Sequence, residues 1–262
     1  MRLFANKLIV NTIVQIAGRL AGAVLVFVAT LILASKLGSD EFGVYTHTVS
    51  LLTLFYSMTD LGMNTVFLHL MRHTTLSRFS PFLGLRVSLG VLLMALAIAV
   101  GRLGVFGPLA IGWVSLIVGA FSIISYAIFL TTGVIFQWIR RLDLQVASQT
   151  VGNLIGLLLL IFVVYVLPKS HLSGEQAIVI LALSSFITAL FSLRLIRLRG
   201  VETRVQINIE LWKKIMFQSG LLGFALVCNN FYMRMGIFSL NSSHTSIEVG
   251  EYGLAFKFFE FA

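Results

Sequence analysis

Charge is what this chain has least of. Only 11% of its 262 residues are Asp, Glu, Lys or Arg, against about a quarter in an ordinary soluble domain. So few charges cannot coat a water-facing surface, which excludes a soluble globular protein. There is one cysteine, Cys228, which excludes an internal disulfide and any multi-cysteine metal site. It reads as a small packing residue. The histidines, at 47, 69, 73, 171 and 244, are scattered rather than spaced for a metal. No glycine-rich phosphate loop is present, and no pair of carboxylates sits near one interface. The sequence therefore points away from an enzyme and calls for no cofactor. A removable leader is also missing: the first apolar stretch is too long for one and carries Arg19, so it reads as a retained span.

What is abundant is apolar. Hydrophobic residues make up 58% of the chain and the mean hydropathy is +0.98. A helix needs about 20 residues to cross the hydrocarbon. Spans are expected at Leu8–Leu33, Val44–Leu70, Leu85–Val105, Ile111–Trp138, Val146–Leu167, Ala177–Leu195 and Ile215–Leu240. An eighth begins near Tyr252 and is cut off at Ala262. Pro81, Pro108 and Pro168 all fall in connections or at span ends, where a missing N–H does least harm. The fold class is an all-α polytopic helical bundle, about seven complete transmembrane helices and part of an eighth.

The net charge of +9 is distributed by side. Arg2 and Lys7, then Arg72, Arg78 and Arg86, then Arg140 and Arg141 fall on one side. So do Arg194, Arg197, Arg199, Arg204, Lys213 and Lys214. The opposite connections hold Lys36, Arg102 and Lys169. This bias places the N terminus in the cytoplasm of a multi-pass inner-membrane protein. The positive charge is then topology and contact with anionic membrane lipids, not nucleic-acid binding.

The stretch "DEFGVY" at 40–45 returns as "IEVGEY" at 247–252, an offset of 207 residues. Both carry Glu-x-Gly-x-Tyr, both fall on the outer side, and six spans separate them. An even number of spans gives parallel repeats about an axis along the membrane normal. The longest polar connection, "GVETRVQINIELWKKIM" at 200–216, reads either as an amphipathic helix on the cytoplasmic surface or as a solvated linker. The expected organisation is a first six-helix lobe at 1–199, an inter-lobe segment at 200–214 and the start of a second lobe at 215–262.

Polar side chains inside a membrane are costly and usually face a bundle interior or a wet cavity. Asn11, Gln15 and Arg19 recur at four-residue intervals on one face of the first span. Arg19 lies about 16 Å along that helix, at 1.5 Å per residue. Asp60 lies at comparable depth in the second span, so the two are a candidate pair: either a lock between spans or cavity groups. Arg234, with Asn230 one turn before it, and Lys257 with Glu260 form a second cluster nearer the outer side, either as cavity groups or as an outward-snorkelling Arg234 and an intrahelical Lys257–Glu260 pair. Gln145, Gln149 and Asn153 share a face of the fifth span, as interhelical hydrogen bonds or as a cavity wall. Gly18-x-x-x-Gly22 and Gly152-x-x-x-Gly156 allow close helix approach.

The order of several short stretches resembles a known family. "SKLGSDEFGVY" followed by Asp60-Leu61-Gly62, then "IFQWIRRLDLQVASQTVGNLIG", then "NNFYMRMGIFSL" and "VGEYGLAFKFFE" are similar to segments of bacterial polysaccharide (O-antigen type) flippases. These belong to the multidrug/oligosaccharidyl-lipid/polysaccharide exporter superfamily. Two departures stand out. The family often has Asp two residues after the span-seven Arg, where this chain has Gly236; and the family has twelve to fourteen spans.

The resemblance implies transport of an oligosaccharide linked to polyprenyl pyrophosphate, from the cytoplasmic to the periplasmic leaflet, during polysaccharide or O-antigen (lipopolysaccharide) synthesis. It makes Arg19, Arg234 and Lys257 candidate partners of the pyrophosphate. Asp60 would orient Arg19 or carry a coupling ion, and Asn11, Gln15 and Asn230 would complete the cavity. Other polysaccharide-assembly proteins are candidate partners. Two alternatives are a small-molecule or drug exporter of the same superfamily, and a truncated, non-transporting membrane scaffold.

Overall fold

In hydrocarbon an unpaired backbone group has no water to turn to, so long apolar runs must close their hydrogen bonds within a helix. The computed structural model describes residues 2–71, 78–107, 111–166, 172–243 and 245–261, and every regular element among them is helical. The elements are α1 (Arg2–Asp60), α2 (Met63–Met71), α3 (Phe79–Leu103), α4 (Trp113–Trp138), α5 (Leu142–Val166), α6 (Gly174–Arg197), α7 (Ile209–Ser243) and α8 (Ser246–Phe261). Among the described residues, six helices are long and apolar enough to cross a membrane. The protein is an all-α polytopic membrane protein.

The expected connection between the first two spans is almost absent. α1 runs for 59 residues and is interrupted only at Gly38, where φ is 75° and ψ is 167°. A helix of that length would far exceed the ~30 Å hydrocarbon thickness, so α1 supplies two crossings. Nothing lies within 4 Å of a Cβ added at Gly38. Glycine is needed there for its positive φ, not for space.

The second crossing breaks again at the Asp60-Leu61-Gly62 stretch, where Leu61 and Gly62 have φ of 42° and 68° and α2 restarts. α3 begins six residues before the expected span, at Phe79, with Pro81 in its first turn where no intrahelical N–H is lost. Pro108 and Pro168 lie outside the described residues.

Residues 201–208 form neither a surface helix nor a free linker. They run extended across the start of α3. The Gln206 amide donates to the Ser80 carbonyl at 3.4 Å, the Ser80 hydroxyl to the Glu202 carbonyl at 3.3 Å, and the Trp212 indole to the Pro81 carbonyl at 2.8 Å. The run "VETRVQIN" explains this. Its β-branched residues alternate with polar ones, a period-two pattern that suits extended chain. Beneath it the core at this end of the bundle gathers Phe79, Phe82, Phe136 and Ile215, with Phe67 stacked on Phe82 at 3.9 Å between ring centres.

Two carboxylates fasten the opposite end. Glu41 Oε2 accepts the Gly174 amide at 2.8 Å, and Ser173 and Gln176 form a reciprocal cap on the same α6 terminus. Glu175 in turn accepts from the Gly112 amide and the Ser115 hydroxyl, each at 2.7 Å, at the start of α4. Both place negative charge where helix dipoles favour it. The Glu of the first Glu-x-Gly-x-Tyr stretch is thus a helix cap.

Candidate functional site

Three sites within the bundle bring the polar residues together, and they differ in kind.

The first is the break after Asp60. A helix end leaves carbonyls without intrahelical donors. Arg86 reaches them from α3: Nη1 donates to the Thr59 carbonyl, and Nη2 donates to Asp60 Oδ1 at 2.9 Å and Asn64 Oδ1 at 2.6 Å. Arg86 is fully buried and its guanidinium lies 5.2 Å from the Phe82 ring centre. The sequence placed Arg86 in a cytoplasmic connection and paired Asp60 with Arg19. Both expectations are corrected. Arg86 sits two turns inside α3, and it, not Arg19, is the partner of Asp60. Pro81, which marks the true start of α3, was the available signal. Gly223 of α7 closes over the break. A Cβ there would stand 2.7 Å from the Leu61 carbonyl oxygen, and one on Gly62 2.7 Å from the Leu222 side chain.

The second lies between α1, α4, α5 and α6. A cavity of about 400 Å³ is walled by Gly18, Arg19, Gly22, Val146, Gln149 and Asn153. A smaller one, about 100 Å³, adds Tyr126, Phe129, Ser184, Ser185 and Thr188 to Gln149 and Asn153. Asn153 also borders a third, of about 190 Å³, which reaches Leu33 and Tyr45 on either side of the Gly38 break. Asn153 is shared by the linings of all three, a chamber of neighbouring half-open spaces in which polar groups sit among apolar ones. Its walls contain a single charge, the exposed Arg19, and no carboxylate. Arg19 makes no hydrogen bond or ion pair among the described residues.

Helix-to-helix hydrogen bonds build the chamber's frame. The Asn153 amide donates to the Gly22 carbonyl and the Thr150 hydroxyl to the Gly18 carbonyl, each at 3.4 Å. Ser184 donates to the Gly152 carbonyl at 2.8 Å. Three of the four paired glycines are required here: a Cβ on Gly18 would overlap Val146, one on Gly152 would overlap Thr188 and one on Gly156 would stand 2.9 Å from Ser184, whereas one on Gly22 would make ordinary contact with Asn153 at 3.6 Å. The Gln149–Asn153 face is both a cavity wall and an interhelical seam. Tyr126, Ser184, Ser185 and Thr188 were missed because serine and threonine in apolar helices usually bond their own backbone, as Thr188 does to Ser184 at 2.9 Å. Gln15 is half-buried one turn before Arg19. The side chains of Asn11 and Glu260 lie outside the described residues.

The third site is the contact of α1 with α7 and α8. Here the two Glu-x-Gly-x-Tyr stretches face each other. A Cβ on Gly43 would overlap the Ser246 carbonyl, and one on Gly250 would overlap the Ser39 carbonyl. Ser39 and Ser246 are separated by the same 207 residues as the two glycines. Thr46 packs on Gly253, its own counterpart at that offset. Each partner contacts the equivalent of itself, which is the signature of a local two-fold axis. Arg234 is buried nearby, 5.4 Å from the Phe256 ring centre, and half-buried Lys257 follows Phe256 in sequence. Asn230 donates to the Leu226 carbonyl of its own helix at 3.0 Å. Where the resembled family often has an acid, Gly236 leaves room for Tyr252, whose hydroxyl a Cβ would overlap. Arg234 and Lys257 do not line the cavity that holds Arg19.

The chain matches the model of a polysaccharide biosynthesis protein family over residues 8–260, and it belongs to that family. No curated protein and no solved structure gives a match. Membership and fold together make it a multi-pass membrane protein of polysaccharide biosynthesis.

Proposed function

We propose that this chain transports rather than transforms its substrate. It moves a polyprenyl-pyrophosphate-linked oligosaccharide from the cytoplasmic to the periplasmic leaflet of the inner membrane, with its N terminus in the cytoplasm. The observation that carries this reading is Arg19: a cation within a membrane span, exposed and unpaired among the described residues, at the edge of a cavity whose other polar lining groups are neutral and set among apolar ones.

A charge in that position is costly unless something arrives to neutralise it. Pyrophosphate suits it, because a guanidinium can engage two phosphate oxygens at once. The sugars suit the neutral lining, and the lipid tail stays in the bilayer. Arg234, with Lys257 beside Phe256, would meet the headgroup on the outer side. Two lobes, 1–199 and from 215 onward, joined by the segment 200–214, would rock about the Gly43–Gly250 contact and expose the space between them to each side in turn.

Complementation in a strain lacking the full-length protein tests this. Arg19→Ala at normal abundance is expected to abolish most surface glycan and to leave lipid-linked glycan in the cytoplasmic leaflet. Wild-type export from both Arg19→Ala and Arg234→Ala at normal abundance would contradict the site.

A further inference from the structure

Residues 201–208 join two spans, and one side of that extended run is already engaged. Its backbone is bonded to the first turn of α3, and a Cβ on Gly84 would overlap the Gln206 carbonyl. The run therefore lies against the first two turns of α3. With 25 residues at 1.5 Å each, that helix is about 37 Å long. This exceeds the ~30 Å hydrocarbon and falls short of the ~40–45 Å of the whole bilayer, so its end turns stand among the headgroups. The run beside them lies at the same depth.

The other side of the run is open. Val201 turns into the core, whereas Val205, Ile207 and Ile209 follow at two-residue intervals and are 57%, 75% and 59% exposed. Around this row stand Arg194, Arg197, Arg199, Arg204, Lys213 and Lys214, all exposed. The same stretch carries only two acids, Glu202 and Glu210. None of the six cations is in an ion pair among the described residues. Trp212, half-buried and bonded to the Pro81 carbonyl, adds an aromatic anchor of the kind found at membrane interfaces.

We infer that residues 194–214 form a binding site for anionic phospholipid, with the extended run lying in the headgroup layer. The arginines and lysines meet the lipid phosphates, and Val205, Ile207 and Ile209 rest on the acyl boundary below them. Apolar residues edged by cations are what an interfacial anchor presents to such a surface. An acidic protein surface would match the cations and leave the apolar row uncovered; a neutral lipid would do the reverse. The site goes beyond the transport reading and stands whatever the chain carries.

The test is photo-crosslinking of the full-length protein in vesicles of equimolar phosphatidylcholine and phosphatidylglycerol, with the adducts identified by mass spectrometry. A benzophenone amino acid is placed at Ile207 or, should that position disturb folding, at Val205. The comparison position is Leu92, 63% exposed in the middle of α3. Each cation near an anionic surface favours it by about fivefold. Phosphatidylglycerol adducts at 207 at least about fivefold above phosphatidylcholine adducts, with parity at 92, support the site. So does a return to parity at 207 when Arg199→Gln, Arg204→Gln and Lys213→Gln are combined. Equal adducts of both lipids at 207, unchanged by those substitutions, overturn the anionic assignment. Peptide adducts without lipid show that protein covers the row, and an absence of adducts at 207 and 205 shows that water does; either result overturns the site.

Discussion

Arg86 and Arg19 are both arginines well inside apolar helices, and their surroundings are opposite. Arg86 is fully buried, with three oxygen acceptors at the Asp60 break and an aromatic ring against it. Arg19 borders a cavity and has no protein partner among the described residues. A charge that the fold has already satisfied is part of the fold; Arg19, exposed at a cavity edge, is left open and is the charge proposed to meet a ligand. The difference sorts the intramembrane polar residues into those that hold the helices and those proposed to meet a substrate.

The comparison can be broken most easily at Arg86. Removing one member of a buried ion pair costs about 3–5 kcal/mol, because the partner charge stays behind. Arg86→Met is expected to lower the detergent melting temperature sharply and deplete the protein from membranes. Arg86→Met with Asp60→Leu should recover much of that loss, since no charge is then stranded. A double variant no more stable than the single would show that the pair is not the reason Arg86 matters.

Overpacking the reciprocal glycine contact comes next. Forcing extra methyl groups into a packed site costs about 1–3 kcal/mol. Gly43→Val and Gly250→Val should therefore lower stability by similar amounts, and together by less than the sum, because both open the same contact. Additive losses would deny that the two glycines face each other.

The smallest effect belongs to Glu41. A lost helix cap costs about 0.5–2 kcal/mol. Glu41→Ala should show a correspondingly modest drop in thermal stability with export largely kept. Loss of export at full stability would move Glu41 from the frame to the transport path.

How much of this was legible beforehand varies with the physics involved. The spans follow from hydropathy: helices cover all seven expected full crossings, the first two joined in α1, while α3 and α7 each begin six residues before their expected limits. The repeat was readable from Glu-x-Gly-x-Tyr, yet a repeat alone does not say which residues lie on the axis; only packing shows that Gly43 and Gly250 do. Arg86 was misplaced because a hydropathy window starts a helix where apolar residues thicken, at Leu85, and not where the backbone turns, at Phe79. The extended run 201–208 was misread because its charges suggested an amphipathic helix while its β-branched alternation carried the true signal. Arg19 was a candidate from the sequence and borders a cavity lined by α1 and α5, whereas the serines, threonine and tyrosine of α4 and α6 line an adjoining cavity and no spacing singles them out.

The most direct test of the distinction measures two quantities on two variants of the full-length protein: abundance and melting temperature on one hand, glycan export on the other, for Arg86→Gln and Arg19→Gln. A charge-assisted hydrogen-bond partner is worth about 1.5–3 kcal/mol, roughly a 10- to 100-fold effect on rate or affinity. Arg19→Gln is predicted to keep wild-type abundance and melting temperature while export falls by that factor, and Arg86→Gln to lose stability first. An Arg19→Gln protein that melts early, or one that exports at the wild-type rate, would contradict the reading of Arg19 as a charge reserved for the substrate.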